Sequence, residues 1–476
     1  MLLGNRGVDF SLNFFVDFVT KSQIHLYYKI GQFFGGAFIL ILPQNVNIIL
    51  SKLEEHGFEA YLVGGCVRDI LLGLEPHPWK ICTSGSPEEN LRIFSAFKTD
   101  STGLRHGSVI VFIKDIPYEI ITFRDAKDCD DKPHPDCVRF ETMVIKSLGE
   151  RDFTINAMAY SEKTGLIDPY DGKKDLKKGI LRCVGNPDER FKENALYILK
   201  ALHFSSVYGF SIEKNTAFAV YNNKELVSFV PSERAREELC HILLGKNAVN
   251  VLLNYSDVVA CMIPEIAPCI GFDQNNRFHA YTVYEHSVRA VDAYKGSNIN
   301  VKMALLLHDI GKPHCYTEDA RGGHFYGHAE ISANIAGDVV KRLRFDNASC
   351  QKIVNMIRIH DAQMVPTAKS VRRWLNKVGP DDIFDFIDMR RADILAHAPG
   401  TQADRLRDLN EFYSLAISEI EAKNCFSLKD LAINGFDLLE KGIPEGKEVG
   451  RLLNKALDAV IEEKVVNRRL IEYLTP

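Results

Sequence analysis

Hydrophobic and polar positions follow two regimes along this chain. Just after Asn45, VNIILSKLEEHGFEAYLVGG reads as an amphipathic helix and then a short apolar strand ending at Gly64 and Gly65, after which VRDILLG opens a new helix. Strand signals follow in GSVIVFI and YEIITFR, where β-branched residues recur near period two, before the turn-rich DCDDKPHPD. This α/β unit closes around LIDPYDGKKDLKKG. From Pro187 onward the period is helical almost without interruption, through NALYILKALHF and ERAREELCHILL to the C-terminus. The pattern predicts an α+β fold, with a small α/β head over residues 44–185 and an all-helical remainder. No internal repeat or low-complexity linker marks the chain.

Residues 1–43 stand apart. Their apolar stretch IGQFFGGAFILILP is short for a bilayer span, and neither a charged n-region nor a small-residue cleavage site frames it as a signal peptide. An ordered extension, a peripheral association and an upstream start-site artefact are equally compatible with it. No membrane partner is expected.

Composition narrows the class. A length of 476 residues calls for three or four domains. With 46% hydrophobic residues, 25% charged residues and a net charge of −5, any nucleic-acid contact has to come from local basic patches. Eleven cysteines without a CxxC pair read as reduced thiols of a cytoplasmic protein.

A strand running into Gly64-Gly65 and then a helix leaves backbone N–H groups facing an anion, with glycine allowing a triphosphate to approach closely. In order along the chain come YLVGGCVRDILLG, TGLRHGSVIV, YEIITFR, RDFTINAMA and IDPYDG. This series resembles the class II tRNA nucleotidyltransferases, the CCA-adding enzymes, and their bacterial poly(A) polymerase relatives. The resemblance runs from about Pro43 to the C-terminus. It implies a nucleotidyltransferase head (44–185) and a helical neck contacting base or RNA (186–250). A further helical domain (251–398) and an RNA-binding C-terminal body (399–476) complete the chain.

The resemblance also exposes losses. In the family an Asp-x-Asp after LLG opens a strand, so that both carboxylates share a face and hold Mg²⁺ against attacking hydroxyl and triphosphate. Here those positions are Pro78 and Lys80, flanking Trp79. The site changes by three charge units, and at ~4 Å with an effective dielectric near 20 each pair interaction is roughly 4 kcal/mol. Metal binding there is expected to fail unless Glu75 or Glu119 finds partners. The family's Glu-Asp-x-x-Arg, which reads the base of CTP or ATP, is reduced to Glu193, Asn194 and Tyr197, and the paired arginine before DFTINA to Glu150 and Arg151. What the resemblance places near the phosphates or in the internal polar network remains: Gly64, Gly65, Arg68, Asp69, Arg105, Arg124, Arg151, Asp152 and Asn156, with Asn194 left at the base. Asp69 and Asp152 read more readily as braces than as catalytic groups.

Farther on, VYEHSVRA, MALLLHDIGKP, HFYGHAEIS, MIRIHDAQ and RRADILAHAP carry His286, His308, Asp309 and Asp393 in the order of HD-domain phosphohydrolases, which HDIGKP closely resembles. Imidazole and carboxylate suit Mn, Ni, Fe, Co or Mg. On a helix His308 and Asp309 point about 100° apart, so a shared ion has to sit over that helix, with His286 and Asp393 arriving from others. His328 and His360 occupy the positions that supply a second ion in two-metal HD proteins, and Lys312 follows Gly311 as a phosphate contact. The chemistry implied is attack of a metal-activated water on a phosphoester, with Asp309 or a neighbouring histidine handling the proton.

Lys173, Lys174, Lys177 and Lys178, and Arg372 and Arg373 beside Trp374, form basic runs that read first as solvated faces and second as RNA contacts. Three functions follow. The first is nucleotidyl transfer of CTP and ATP to a tRNA 3′ end, with Mg in the head. The second is an HD phosphohydrolase on a catalytically silent, RNA-binding head. The third is a binding protein without turnover. The sequence favours the second, and a homodimer through the helical body is compatible with each.

Overall fold

The computed structural model describes residues 32–34, 37–40, 42–76, 78–125, 139–140, 144–276, 278–320, 322–470 and 473. The readings of residues 1–31 and of most of DCDDKPHPD lie outside them. The chain divides once, into a unit ending at Pro187 and a unit running from Asp188 to the C-terminus. The head therefore ends two residues beyond its expected limit, and the helical segments after it share one compact unit.

In the first unit, β1 (Ala60–Val63), β2 (Trp79–Thr83), β3 (Lys98–Asp100), β4 (Ser108–Ile113), β5 (Ile116–Thr122), β6 (Ala159–Ser161) and β7 (Gly165–Ile167) form one sheet in the order β7-β6-β1-β2-β5-β4-β3. β2 and β5 pair in parallel and the neighbouring pairs run antiparallel. Period two is visible in β5, where Tyr118, Ile120 and Thr122 are buried while Pro117, Glu119 and Ile121 are half-buried. The register sets Lys80 of β2 beside Glu119 of β5. Helix Gly65–Leu71 starts directly after β1 through Gly64, whose φ of 69° is in the left-handed region that favours glycine.

The second unit is mainly helical as its period predicts, but it also holds an antiparallel hairpin, Thr317–Asp319 with Gly322–His324, and Asn194 separates helices Pro187–Glu193 and Leu196–Tyr208 within the run expected to be continuous. Six later helices frame the site: α1 (Val283–Ala293), α2 (Ile299–Leu307), α3 (His328–Arg342), α4 (Asn347–Arg358), α5 (Ile383–Leu395) and α6 (Ala403–Glu421). Thr282, Asn298 and Asp346 cap α1, α2 and α4 by accepting from Glu285 N, Asn300 N and Ser349 N. Every residue of α2 from Val301 to Leu307 is buried, and the helix packs against α1, α4 and α5. Even Lys302 is satisfied internally, donating to Val291 O and Tyr294 O. An apolar helix with no solvent face is the natural centre of a bundle. Among the described residues, no helix is long and apolar enough to cross a membrane.

Candidate metal centre and head site

His308 is the C-cap residue of α2, and Asp309 follows it in the turn rather than on the helix. Both side chains reach one point, His308 Nε2 lying 3.2 Å from Asp309 Oδ2. The turn then passes close to α3. Gly311 N donates to Ser332 Oγ at 2.9 Å, and a Cβ at 311 would lie 2.6 Å from Ser332 N and 2.8 Å from His328 O, so only glycine fits.

Asp309 lies between two groups of donors. Its Oδ2 is 3.2 Å from His308 Nε2 and 3.5 Å from His286 Nε2, while its Oδ1 is 3.4 Å from His328 Nε2 and 3.6 Å from His360 Nε2. Asp393 Oδ1 joins the first group, 3.1 Å from His286 Nε2 and 3.5 Å from His308 Nε2. Two ligands at right angles on bonds of ~2.1 Å lie about 3.0 Å apart, so this spacing suits a divalent ion in each group.

The ring tautomers point the same way. Nδ1 of His308, His328 and His360 faces the carbonyls of Leu305, Phe325 and Ile357 at 2.8, 2.8 and 2.7 Å, and His286 Nδ1 faces Ala396 O at 3.3 Å. With Nδ1 donating to a carbonyl, neutral imidazole presents a lone pair at Nε2. The Nε2 atoms then confront one another in pairs, His286 with His308 at 3.3 Å and His328 with His360 at 3.2 Å. Two facing lone pairs repel, and a cation between them, proton or metal ion, removes the repulsion. Asp309 Oδ1 is buried and accepts no hydrogen bond. Burial alone works against charge on the carboxyls of Asp309 and Asp393, yet His308 and Lys312 around Asp309, and His286 and His308 around Asp393, hold both well below the usual carboxylate range. Burial also opposes a charge on His308, but Asp309 and Asp393 outweigh it and hold its imidazolium up to about 10. The six donors fit divalent ions, which His286, His308, Asp309 and Asp393 on one side and Asp309, His328 and His360 on the other would hold.

The donors open onto a cavity of about 640 Å³. Lys312 lines it, but the expected phosphate contact gives way to an internal one: Nζ is 2.7 Å from Asp309 Oδ2 and donates to Gln274 Oε1 at 2.7 Å. Lys312 balances the charge of the bridging carboxylate. Sequence reading missed Arg390, Arg405, His279 and His397 in the same wall. His397 was legible in the quoted RRADILAHAP run, four residues after Asp393 and so on its helical face. Arg405 sits on α6 with no motif to flag it. Burial lowers His279 to about 2 and His397 to about 4, so both rings are neutral.

In the head, Pro78 is exposed and its carbonyl accepts from Cys66 Sγ. Lys80 Nζ lies 2.8 Å from Glu119 Oε2. The one carboxylate that could have replaced the missing pair is thus neutralised by the lysine standing in a metal-ligand position, while Glu75 is exposed in the preceding loop. The retained residues form a polar network. Arg68 NH1 donates to Asn156 Oδ1 at 2.8 Å, Asn156 Nδ2 donates to Asp152 Oδ1 at 2.9 Å, and Arg68 also pairs with Asp69. Asp69 thus pairs with Arg68, and Asp152 accepts from Asn156. Arg151 NH1 lies beside Gly64, within 3.5 Å of where a Cβ would stand, and Arg105 is exposed. Gly65 opens the helix next to them. The side chain of Arg124 lies outside the described part.

Asn194 belongs to the second unit, where it is exposed and its Oδ1 accepts from Leu196 N at 3.1 Å in a local turn. In the Arg372 and Arg373 run the first arginine is half-buried and the second exposed. Arg372 is bonded to Glu419 at 2.7 Å and to Glu463 at 3.0 Å, and Arg373 is paired with Glu462. The four lysines from 173 to 178 do line an open recess, with Asp168 and Asp171.

A mixed sheet entered through Gly64-Gly65, followed by a mainly helical unit, defines a nucleotidyltransferase-type protein with a helical body. Family models agree: Poly A polymerase head domain over residues 60–182, RNA and SrmB-binding site of polymerase A over 209–269, and tRNA nucleotidyltransferase domain 2 over 326–471. The CCA-adding enzyme of Limosilactobacillus reuteri is 42% identical over 433 residues, 89% of this chain and 93% of that protein. That of Ligilactobacillus salivarius is 46% identical over 209 residues, 44% of this chain and 51% of that protein. The crystal structure of the Bacillus stearothermophilus CCA-adding enzyme in complex with CTP superposes with a TM-score of 0.68 and 26% identity, covering 90% of this chain and 97% of that one. This chain belongs to the class II tRNA nucleotidyltransferase family, that of the CCA-adding enzymes.

Proposed function

We propose that this family member acts as a metal-dependent phosphohydrolase on RNA 3′ ends or small phosphoesters, from the centre around Asp309, and that its head holds anions or RNA without transferring nucleotides. One contrast carries the reading. Four histidines and two aspartates converge in the helical unit at ligand spacing, whereas the head presents Pro78 and a Lys80–Glu119 ion pair where transfer needs carboxylates. Divalent ions, drawn from Mn, Ni, Fe, Co or Mg, supply Lewis acidity and water activation there. The chain's own contributions are separate. His286, His308, Asp309 and Asp393 hold one ion, and Asp309, His328 and His360 the other. Lys312 keeps Asp309 ionised. In hydrolysis a water oxygen bonds to phosphorus, the ester P–O bond breaks, and a water proton ends on the leaving oxygen.

A second reading, transfer of CMP and AMP from CTP and ATP to tRNA with Mg in the head, is favoured by the comparisons. Relatives matching nearly the whole length are CCA-adding enzymes, and the matched Bacillus stearothermophilus structure holds CTP. Both readings take tRNA or another RNA as partner and suit a cytoplasmic protein. One paired assay separates them: labelled CTP and ATP with tRNA lacking its CCA end, beside phosphoester hydrolysis with Mn²⁺, Ni²⁺ or Mg²⁺. We expect no incorporation, and hydrolysis abolished by His308→Ala. Incorporation that is absent from a mock preparation but present with the purified chain overturns the silent head.

A further inference from the structure

The cavity beside the metal donors is larger than one phosphate needs, and its walls are not uniform. Arg390 projects from α5 and Arg405 from α6 onto the outer side of Asp393. Their NH1 and NH2 atoms lie 3.5 and 4.0 Å from Asp393 Oδ2, while Oδ1 of the same carboxylate faces His286 and His308. Arg390 also donates to His360 O. Arg405 donates no hydrogen bond to any described residue, although two thirds of its side chain is covered. A cavity guanidinium that makes no hydrogen bond to a described residue, and only a 4.0 Å ion pair with Asp393, has donors left for an anion that it grips with two parallel bonds.

Charge sets the size of that anion. The lining carries Lys312, Arg390 and Arg405 against Asp309, Asp361 and Asp393, which cancel. Two divalent ions would leave four positive charges. One phosphomonoester dianion answers half of them. Two aromatic rings at the same cavity, Phe278 at 44% exposure and Tyr326 at 74%, offer the flat apolar surfaces on which bases stack. Tyr326 is itself stacked on His324, with ring planes 13° apart.

We infer that the cavity takes a nucleotide bearing two phosphate groups, the scissile one at the metal donors, the second on Arg390 and Arg405, and the base against Tyr326 and Phe278. The end of an RNA strand with a terminal phosphate has this chemistry, and a lone mononucleotide lacks the second anion. The inference rests on the phosphohydrolase reading only for the place of the scissile group.

The test is binding to the full-length, Mn²⁺-loaded protein by equilibrium dialysis, with adenosine 3′,5′-bisphosphate, adenosine 3′-monophosphate and inorganic phosphate as probes. The bisphosphate is expected to bind about tenfold or more tighter than the monophosphate, the worth of a charge-assisted bidentate contact. Arg405→Gln is expected to erase that difference while leaving inorganic phosphate within twofold, and Arg405→Lys to restore part of it. Tyr326→Ala is expected to weaken both nucleotides alike and inorganic phosphate not at all. Equal affinity for the two nucleotides in the unsubstituted protein, or a preference that survives Arg405→Gln, overturns the inference. Turnover is measured separately. A bisphosphate preference without hydrolysis of any phosphoester sinks the hydrolase reading alone, and hydrolysis without the preference sinks this inference alone.

Discussion

A single methyl group tests how tightly the centre is built. Gly311→Ala would place its Cβ 2.6 Å from the backbone nitrogen of Ser332 and 2.8 Å from the carbonyl of His328, and backbone cannot move aside as a side chain can. The turn carrying His308 and Asp309 has to part from α3, which carries His328. Overpacking of this kind costs about 1–3 kcal/mol. The expected outcome is a lower Tm together with loss of one of two bound Mn²⁺ ions, read by metal analysis after dialysis, because His328 moves away from Asp309 Oδ1. Retention of both ions at normal affinity would show that the two halves of the centre are not held through this contact. The Lys80–Glu119 pair is a different kind of residue-scale feature. With exposures of 37% and 29% it is screened by solvent, and Lys80→Ala is expected to change stability by less than about 1 kcal/mol in urea unfolding.

At the scale of elements, strand alternation makes the replacement of the paired carboxylates by Pro78 and Lys80 reversible in principle. Positions 78 and 80 lie two apart at the start of β2, and Glu119 of β5 is in register with residue 80. The double change Pro78→Asp with Lys80→Asp would set three carboxylates at one face. It is expected to create Mg²⁺ binding in the head, detectable by calorimetric titration of a protein whose other centre is disabled by His308→Ala and Asp309→Asn. The same element logic explains what the sequence disclosed. Period two and period 3.6 separate the head from the helical unit because each regime persists over many residues, and His286, His308, Asp309, His328, His360 and Asp393 were readable because motif order fixed them. Other features were not. Nothing local says that helix α2 ends at Leu307. Arg405 enters the cavity only through the packing of α6 on α5, and the pairing of Arg372 with Glu419 and Glu463 spans long stretches of chain. Contacts between distant segments leave no periodic trace. The break at Asn194 was missed for another reason: the side chain of Asn194 competes with the helix for its own backbone, an effect that apolar periodicity does not register.

Across the whole molecule, the cluster around His308 and Asp309 couples protonation to folding, and the sign can be worked out. In the metal-free chain His308 is held up to about 10, against an ordinary value of 6.5, chiefly by Asp309 and Asp393 acting against burial. A group whose folded pKa is raised contributes stability that is complete below its unfolded value and is lost as pH rises through the folded value. The window is therefore pH 6.5 to about 10. Asp309 and Asp393, held well below the usual range, are ionised throughout this window and add no slope to it. As the proton leaves, the facing Nε2 atoms of His286 and His308 lose the cation between them, and only a metal ion can take its place. Chelator-treated protein is thus expected to lose thermal stability steadily from pH 7 to 9.5, and Mn²⁺-loaded protein to lose much less. The stabilisation by metal, about 2.7 kcal/mol at a free concentration one hundred times Kd, should then appear larger at pH 9 than at pH 7, with proton release on titration in weakly buffered solution. His308→Asn removes both the slope and the proton release. A metal-free protein whose stability is flat across this window would mean that no proton bridges the two rings, and the electrostatic case for a cation at their meeting point would fail.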